Sequence, residues 1–352
     1  MTDLLTRPAA GVRRFTSTRL PAFERGREFG AAFPGEIRAT IAFYRDLLVR
    51  CPNPDVDLAA GGALALEAIE RFSPDAAAEL RGMAEGAGRP VAELAGINAR
   101  TELLALADPD GTVECSTIVS APPGGPARGA QTWDWYTAMA NGWLLWTVPL
   151  PDGREVSTVT EFGVLGKIGV NDAGLGLLFS ILHHEADGHD RVGVPVHVLA
   201  RTVLERARDV DGALGIVRGA GLSASSTFTL LDPSRAAAAE LFPGGVGVIE
   251  PEGGWLVRSN KFLSAAGSPG CRDHVLGINS TVRLRALTDR VRGGVDTADA
   301  GLIDALTGHD PDGRLCAHSA PGSTEGTLAT VVIDTATPAL SVWGGWPCSI
   351  AA

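Results

Sequence analysis

Apolar residues fall at helical spacing early in the chain and alternate later, so its two parts follow different patterns. Ile37, Ile41, Tyr44 and Leu48 share one helical face, and the cluster Cys51-Pro52-Asn53-Pro54 ends that element, because proline supplies no amide donor and clashes with a continuing helix. Ser73-Pro74-Asp75 combines a cap residue with proline in the first turn and predicts a short helix ending near Gly86 or Gly88. Residues 91–107 predict a further helix. A turn at Asp108-Pro109-Asp110-Gly111 then delivers an extended segment carrying Cys115. The first hundred residues therefore read mainly as helix.

Beyond Cys115 the pattern turns to strands. Residues 143–148, 156–160, 164–170 and 175–182 are β-rich runs, separated by Pro-Asp-Gly, Gly and Asn-Asp-Ala-Gly turns, the spacing of an antiparallel meander. Helices are expected at 195–207 and 211–218, strands at 227–231, 237–241, 246–249 and 255–258, helices at 282–292 and 297–306, and closing strands at 328–333 and 339–343. Strands grouped beside grouped helices predict an α+β fold. Neither an internal repeat nor a linker-like tract interrupts the 352 residues.

With 45% hydrophobic and 20% charged residues, the chain can bury a full core. The net charge of −11 offers no basic field for nucleic acid or anionic lipid. No run of about 20 apolar residues is present to span a bilayer, and the first residues lack the features of a secretory signal. A cytoplasmic location is expected. Cys51, Cys115, Cys271, Cys316 and Cys348 are odd in number, widely separated and without a C-x-x-C pair, so neither a disulfide framework nor a zinc knuckle is expected.

Taken alone, Cys115 reads as a small buried hydrophobe, Asp134 as a turn or cap carboxylate and Asn260 as a strand-end turn residue. Their neighbours change that reading. Asn98-Ala99-Arg100-Thr101-Glu102, Glu114-Cys115-Ser116-Thr117, Gln131-Thr132-Trp133-Asp134, Gly163 through Asn171, Gly193-Val194-Pro195 and Ser259-Asn260 form an ordered set. The set resembles the acyl-coenzyme A:6-aminopenicillanic acid acyltransferase family, self-processing cysteine members of the N-terminal nucleophile hydrolases. The resemblance runs from about Asn98 to Leu263, weakens after Asn279 and returns from Thr327 to Asp334.

That resemblance implies a four-layer αββα sandwich made as a precursor. Cleavage between Glu114 and Cys115 would give an N-terminal, mainly helical fragment 1–114 and a nucleophile-bearing fragment 115–352 that stay together as one domain. The new α-amine, with an ordinary pKa near ~7.7–8.0, would take the proton from the Cys115 thiol, so that no catalytic histidine is needed. By the same resemblance Asp134 orients the amine and Asn260 donates to the oxyanion. Trp135 and Tyr136 are expected to wall an acyl pocket, with Ser180 and His183 as further substrate contacts. The expected partner is a small-molecule amide or acyl donor, acting with no cofactor.

Two departures from the family stand out. Glu114 precedes the nucleophile where glycine is expected, and Ser323-Thr324-Glu325-Gly326-Thr327 lacks the arginine expected before the last strands. Either another arginine substitutes, with Arg283 as the candidate, or the pocket takes a substrate other than the penicillin nucleus. An acyl-CoA-dependent N-acyltransferase is an alternative within the same resemblance, and two other readings remain open. One is an unprocessed, inactive binding protein. The other is a metal site in His183-His184-Glu185-Ala186-Asp187-Gly188-His189-Asp190, although the helical H-E-x-x-H arrangement is absent. Ser/His/Asp chemistry lacks its G-x-S-x-G elbow.

Overall fold

The computed structural model describes residues 6–8, 11–109, 115–188, 192–309, 315–318 and 324–350. After two three-residue strands, Thr6–Pro8 and Arg14–Thr16, come six helices: α1 Ala22–Ala32, α2 Pro34–Arg50, α3 Leu58–Phe72, α4 Pro74–Ala87, α5 Val91–Asn98 and α6 Arg100–Ala107. The signals that predicted α2 and α4 operate as expected. Ser73 caps α4 by accepting from the Ala76 amide, and Gly88 ends it at a left-handed φ of 63°. Helices α1 and α4 approach closely because both carry glycines at the contact. A Cβ on Gly26 would lie 2.0 Å from the Glu79 carbonyl oxygen, and one on Gly82 would lie 1.9 Å from that of Phe23.

The single helix expected over 91–107 is two helices meeting at Ala99. Asn98 explains the break. Its buried side chain donates to the carbonyls of Leu94 and Gly163, both at 2.8 Å, and accepts from the Leu165 amide at 2.9 Å. The same bonds hold residues 163–165 as a turn, so the strand expected from 164 begins only at Ile168.

Two sheets follow. One has six strands in the order β1 (Thr6–Pro8), β14 (Ala339–Gly344), β13 (Glu325–Asp334), β4 (Arg128–Tyr136), β3 (Cys115–Ser120) and β12 (Trp255–Arg258). The other has eight: β11 (Gly245–Ile249), β10 (Ala236–Phe242), β9 (Ser226–Leu231), β8 (Gly176–Ile181), β7 (Ile168–Asn171), β6 (Glu155–Glu161), β5 (Trp143–Pro149) and β2 (Arg14–Thr16). Every pairing among these described strands is antiparallel except β1 with β14 and β2 with β5. Strand β4, central in the first sheet, was not among the strands expected from the sequence.

The inner faces of the sheets pack together through residues such as Val119 and Ile333 on one and Leu178 and Leu231 on the other. A polar tie crosses this layer. Gln131 on β4 donates its side-chain amide to the Phe179 carbonyl on β8 and accepts from the Phe179 amide at 3.0 Å. Each bond contributes about 0.5–1.5 kcal/mol net, and losing one leaves a buried orphan. Helices α9 (Asp273–Gly293) and α10 (Asp299–Ala305) cover the outside of the six-stranded sheet, burying Ile118, Ala130 and Val332 under Leu287, Leu302 and Leu306. Helices α7 (Val196–Arg206) and α8 (Val210–Arg218) cover the eight-stranded sheet. The layers form the αββα sandwich that the resemblance implied.

Candidate active site

The site is assembled from β3, β4, the segment after β12, and α9. Cys115 opens β3, opposite Trp133 on β4, and is buried. Its amide donates to Asn260 Oδ1 at 2.8 Å. Its carbonyl accepts from Arg283 Nη1 at 2.6 Å, and the same Nη1 reaches the Ser116 hydroxyl at 2.9 Å. Arg283 Nη2 donates to Asn260 Oδ1 at 3.0 Å. Asn260 is oriented by these donors on its oxygen and by its own Nδ2 donating to the Ile181 carbonyl at 2.9 Å. Its oxygen therefore faces Cys115 N, whereas its expected role presents the amide nitrogen to an oxyanion.

The turn carrying Asn260 is itself held in place. Arg258 forms a buried salt bridge with Glu240 on β10 and donates to the Lys261 carbonyl at 2.7 Å. Glu240 also accepts from the amides of Leu263 and Ser264 at 2.7 and 2.8 Å. The Ser280 hydroxyl of α9 meets that of Ser259 at 3.0 Å. The Ser-Asn motif thus has its position fixed from three directions.

Asp134 lies on β4 opposite Thr327 of β13. Its Oδ1 accepts from the Thr327 hydroxyl at 2.6 Å, and the Thr132 hydroxyl lies 3.5 Å from Oδ2. Burial raises the Cys115 thiol pKa and the Asp134 charge raises it further, against the lowering influence of Lys167, the Asp134 main chain and Arg283. Glu114, the other side of the expected cleavage point, lies outside the described residues.

Lys167 sits beside Cys115, its ammonium 4.4 Å from the Trp133 ring centroid, 5.2 Å from that of Phe179 and 5.4 Å from that of Trp135. Burial, then the charge of Arg100, pulls its pKa down to about 7. Such aromatic faces stabilise the cation by about 0.5–2 kcal/mol each. From the sequence, the glycine-rich Gly166-Lys167-Ile168-Gly169 was expected as a hairpin turn lining the pocket, with no chemical role for Lys167 itself, and Thr327 was not expected in the site. The scarcity of lysine in an arginine-rich chain was the available signal.

A small cleft of about 40 Å³ adjoins this cluster, lined by Trp135, Tyr136, Ile181 and His183 among others. Three expected substrate contacts, Trp135, Tyr136 and His183, line it together. Ser180 does not, because it faces inward and is buried near the Gln131 amide at 3.5 Å. Trp135 is braced from behind: its Nε1 donates to the Tyr44 hydroxyl at 2.9 Å, Tyr44 donates to Glu161, and Arg100 pairs with Glu161 while lying 4.7 Å from the Trp135 ring. Arg100, expected only as part of a motif, thus supports the cleft wall.

The candidate metal loop looks different. His184 stacks on Phe242 with centroids 4.9 Å apart, and its Nδ1 accepts from the Ala186 amide at 3.1 Å. His189 and Asp190 lie outside the described residues.

The chain belongs to the acyl-coenzyme A:6-aminopenicillanic acid acyl-transferase family, whose model matches residues 124–345. The match begins just downstream of Cys115 and runs through the stretch after Asn279, where the resemblance had weakened. Over 225 residues the chain is 29% identical to the acyl-coenzyme A:6-aminopenicillanic-acid-acyltransferase 40 kDa form of Emericella nidulans, covering 62% of this chain and 61% of that protein. It therefore spans about three-fifths of that relative's length. Among solved structures it is similar to penicillin V acylase from Agrobacterium tumefaciens, with 16% identity, a TM-score of 0.43 and coverage of 63% of this chain and 80% of that one. A mutant of the conjugated bile acid hydrolase from Clostridium perfringens aligns at 12% identity and TM-score 0.40, covering 62% and 85% of the respective chains. No described helix is long and apolar enough to cross a membrane.

Proposed function

We propose that this protein is a self-processing cysteine amidohydrolase or acyltransferase acting on a small amide or N-acyl amine, with Cys115 as nucleophile. The observation that carries the reading is the arrangement at the start of β3. Buried side chains from two other segments, Asn260 and Arg283, grip the amide and carbonyl of Cys115. A cysteine held only as core filler has no need of a buried guanidinium, which costs several kcal/mol to desolvate.

In the precursor, the Cys115 sulfur attacks the carbonyl carbon of Glu114, the peptide nitrogen takes up a proton as its bond to that carbon breaks, and Glu114 is left as a thioester on Sγ. Water cleaves the thioester to give the Glu114 carboxylate, the free thiol and the Cys115 α-amine. In turnover the α-amine takes the thiol proton, the thiolate adds to the substrate carbonyl, and the proton passes to the departing amine. Water or an acceptor amine then releases the acyl group from sulfur. Asp134, fixed by Thr327, orients the ammonium. In this reading the second proton on Asn260 Nδ2 and the remaining N–H groups of Arg283 are the candidate donors to the developing oxyanion, where one donor contributes ~2.7–4 kcal/mol in other hydrolases.

The cleft favours an apolar acyl group against Trp135, Tyr136 and Ile181, while its charged lining residues are the acids Asp108 and Asp187. Arg283 is buried and already engaged with three protein acceptors. An anionic acceptor such as the penicillin nucleus therefore finds no cationic anchor among the described residues of this lining, and a neutral or cationic amine leaves readily. Product partitioning from one thioester donor, with and without added amines, tests this. Hydrolysis is expected to exceed aminolysis by 6-aminopenicillanic acid; dominant amide formation with that acceptor would reverse the assignment.

A further inference from the structure

Sequence spacing gave no reason to expect a metal site among the cysteines, yet folding gathers two of them with two histidines. His309, Cys316, His318 and Cys348 place one donor atom each within 4.8 Å of all the others. Cys316 Sγ and Cys348 Sγ are 3.6 Å apart, His309 Nε2 and His318 Nε2 are 3.2 Å apart, and His318 Nε2 lies 3.1 Å from Cys348 Sγ. From Zn–S of ~2.3 Å and Zn–N of ~2.0–2.1 Å, a tetrahedral zinc site has edges of about 3.8 Å between sulfurs, about 3.3 Å between nitrogens and about 3.5 Å between nitrogen and sulfur. The observed separations fall within a few tenths of an ångström of those edges. The sulfurs are far beyond the ~2.05 Å of a disulfide bond, and both cysteines are free.

We propose that these four side chains form a Cys2His2 site for a divalent zinc ion. Two thiolates and two imidazoles suit zinc above the oxygen-seeking alkaline-earth ions. Binding removes one proton from each thiol, so Zn²⁺ with two thiols and two neutral imidazoles gives a neutral bis-thiolate complex and two released protons. All four positions are filled by protein, so the ion acts structurally. It joins the connection ahead of β13 to the short turn Pro347–Ser349 that follows β14. The indole of Trp346 stacks on the His318 ring at 4.4 Å and 13°, fixing the plane of one ligand.

The clamp bears on the active-site cluster. Between Cys316 and His318, Ala317 accepts from the Thr327 amide at 2.9 Å and donates to the Thr327 hydroxyl at 3.3 Å. That hydroxyl holds Asp134. The metal would thus fix the strand end that positions Asp134, a consequence resting on the proposed function, whereas the site itself does not.

The test is titration of the reduced, metal-stripped full-length protein with Co²⁺, followed by displacement with Zn²⁺. The wild type should develop the intense ligand-field bands of tetrahedral cobalt with thiolate-to-cobalt charge transfer, saturate at one ion per chain, and lose the bands on adding zinc. Proton release should accompany uptake. Cys316→Ser with Cys348→Ser should lose the charge-transfer band, and His309→Ala should lose the tetrahedral signature. Absence of these bands in folded wild type, or their persistence in the double cysteine variant, overturns the site.

Discussion

Replacing Arg283 by Met separates catalysis from stability more sharply than any other change at this site. Arg283 is buried and donates to three neutral acceptors: the Cys115 carbonyl, the Ser116 hydroxyl and Asn260 Oδ1. Hydrogen bonds from a charged group contribute about 1.5–3 kcal/mol each, so the three together amount to roughly 4–9 kcal/mol. Desolvating the guanidinium costs several kcal/mol, and its Nε has no partner among the described residues. The two sides nearly cancel, and methionine restores most of the volume without the charge, so stability should move by no more than about 2 kcal/mol in either direction. Turnover should respond differently. Loss of the positioning bonds and of one candidate oxyanion donor should lower kcat/KM by ~10²–10³, equivalent to ~2.7–4 kcal/mol. Because the Arg283 charge lowers the Cys115 thiol pKa, alkylation of Cys115 by iodoacetamide should also need a higher pH. Denaturant unfolding, steady-state kinetics on an active amide and the alkylation profile are measured on the same preparation. A folded variant with wild-type kcat/KM would refute the reasoning, as would an activity loss fully matched by the fraction unfolded.

Lys167→Met should move the Cys115 alkylation profile to higher pH, because the ammonium that favours the thiolate is gone; an unmoved profile removes Lys167 from the site. Asp134→Asn should lower turnover and carry the acid limb of the pH–rate curve to lower pH, since the α-ammonium loses its stabilising carboxylate; an unchanged limb would separate Asp134 from the amine. Glu102 accepts from the Val196 amide at 2.8 Å, and burial raises its pKa to about 7. The folded protein therefore binds this proton more tightly than the unfolded chain, and stability falls as pH rises from the ordinary carboxylate range towards 7. Glu102→Gln should flatten that decline and stabilise the protein at pH 8 by about 1–3 kcal/mol, seen in urea titrations at pH 5 and pH 8. Equal effects at both pH values would contradict it.

Most helices and outer strands were legible because one face of each is apolar and its ends carry proline, glycine or a cap. Strand β4 was not. Gln131, Thr132 and Asp134 make Gln-Thr-Trp-Asp-Trp look polar, yet Gln131 bonds to Phe179 across the sheets and Asp134 to Thr327 on the next strand. The break at Ala99 was hidden for the same reason, since the bonds of Asn98 go to residues 163 and 165. The order of the motifs pointed to Cys115, Asp134 and Asn260. Arg283 entered only as a candidate substitute, because nothing in a helix sequence shows which residue will reach a strand some 168 positions away. Lys167, Thr327 and the His309, Cys316, His318 and Cys348 cluster depend on contacts between distant segments and carry no local signature.

Self-processing at Cys115 stands or falls on the covalent state of the purified chain. Intact mass and N-terminal sequencing of wild type and Cys115→Ala, alongside amide turnover, measure that state directly. The wild type should give co-purifying fragments 1–114 and 115–352 with cysteine at the new N-terminus, and Cys115→Ala should give one inactive, uncut chain. A full-length wild type that still turns over amides would contradict the α-amine mechanism.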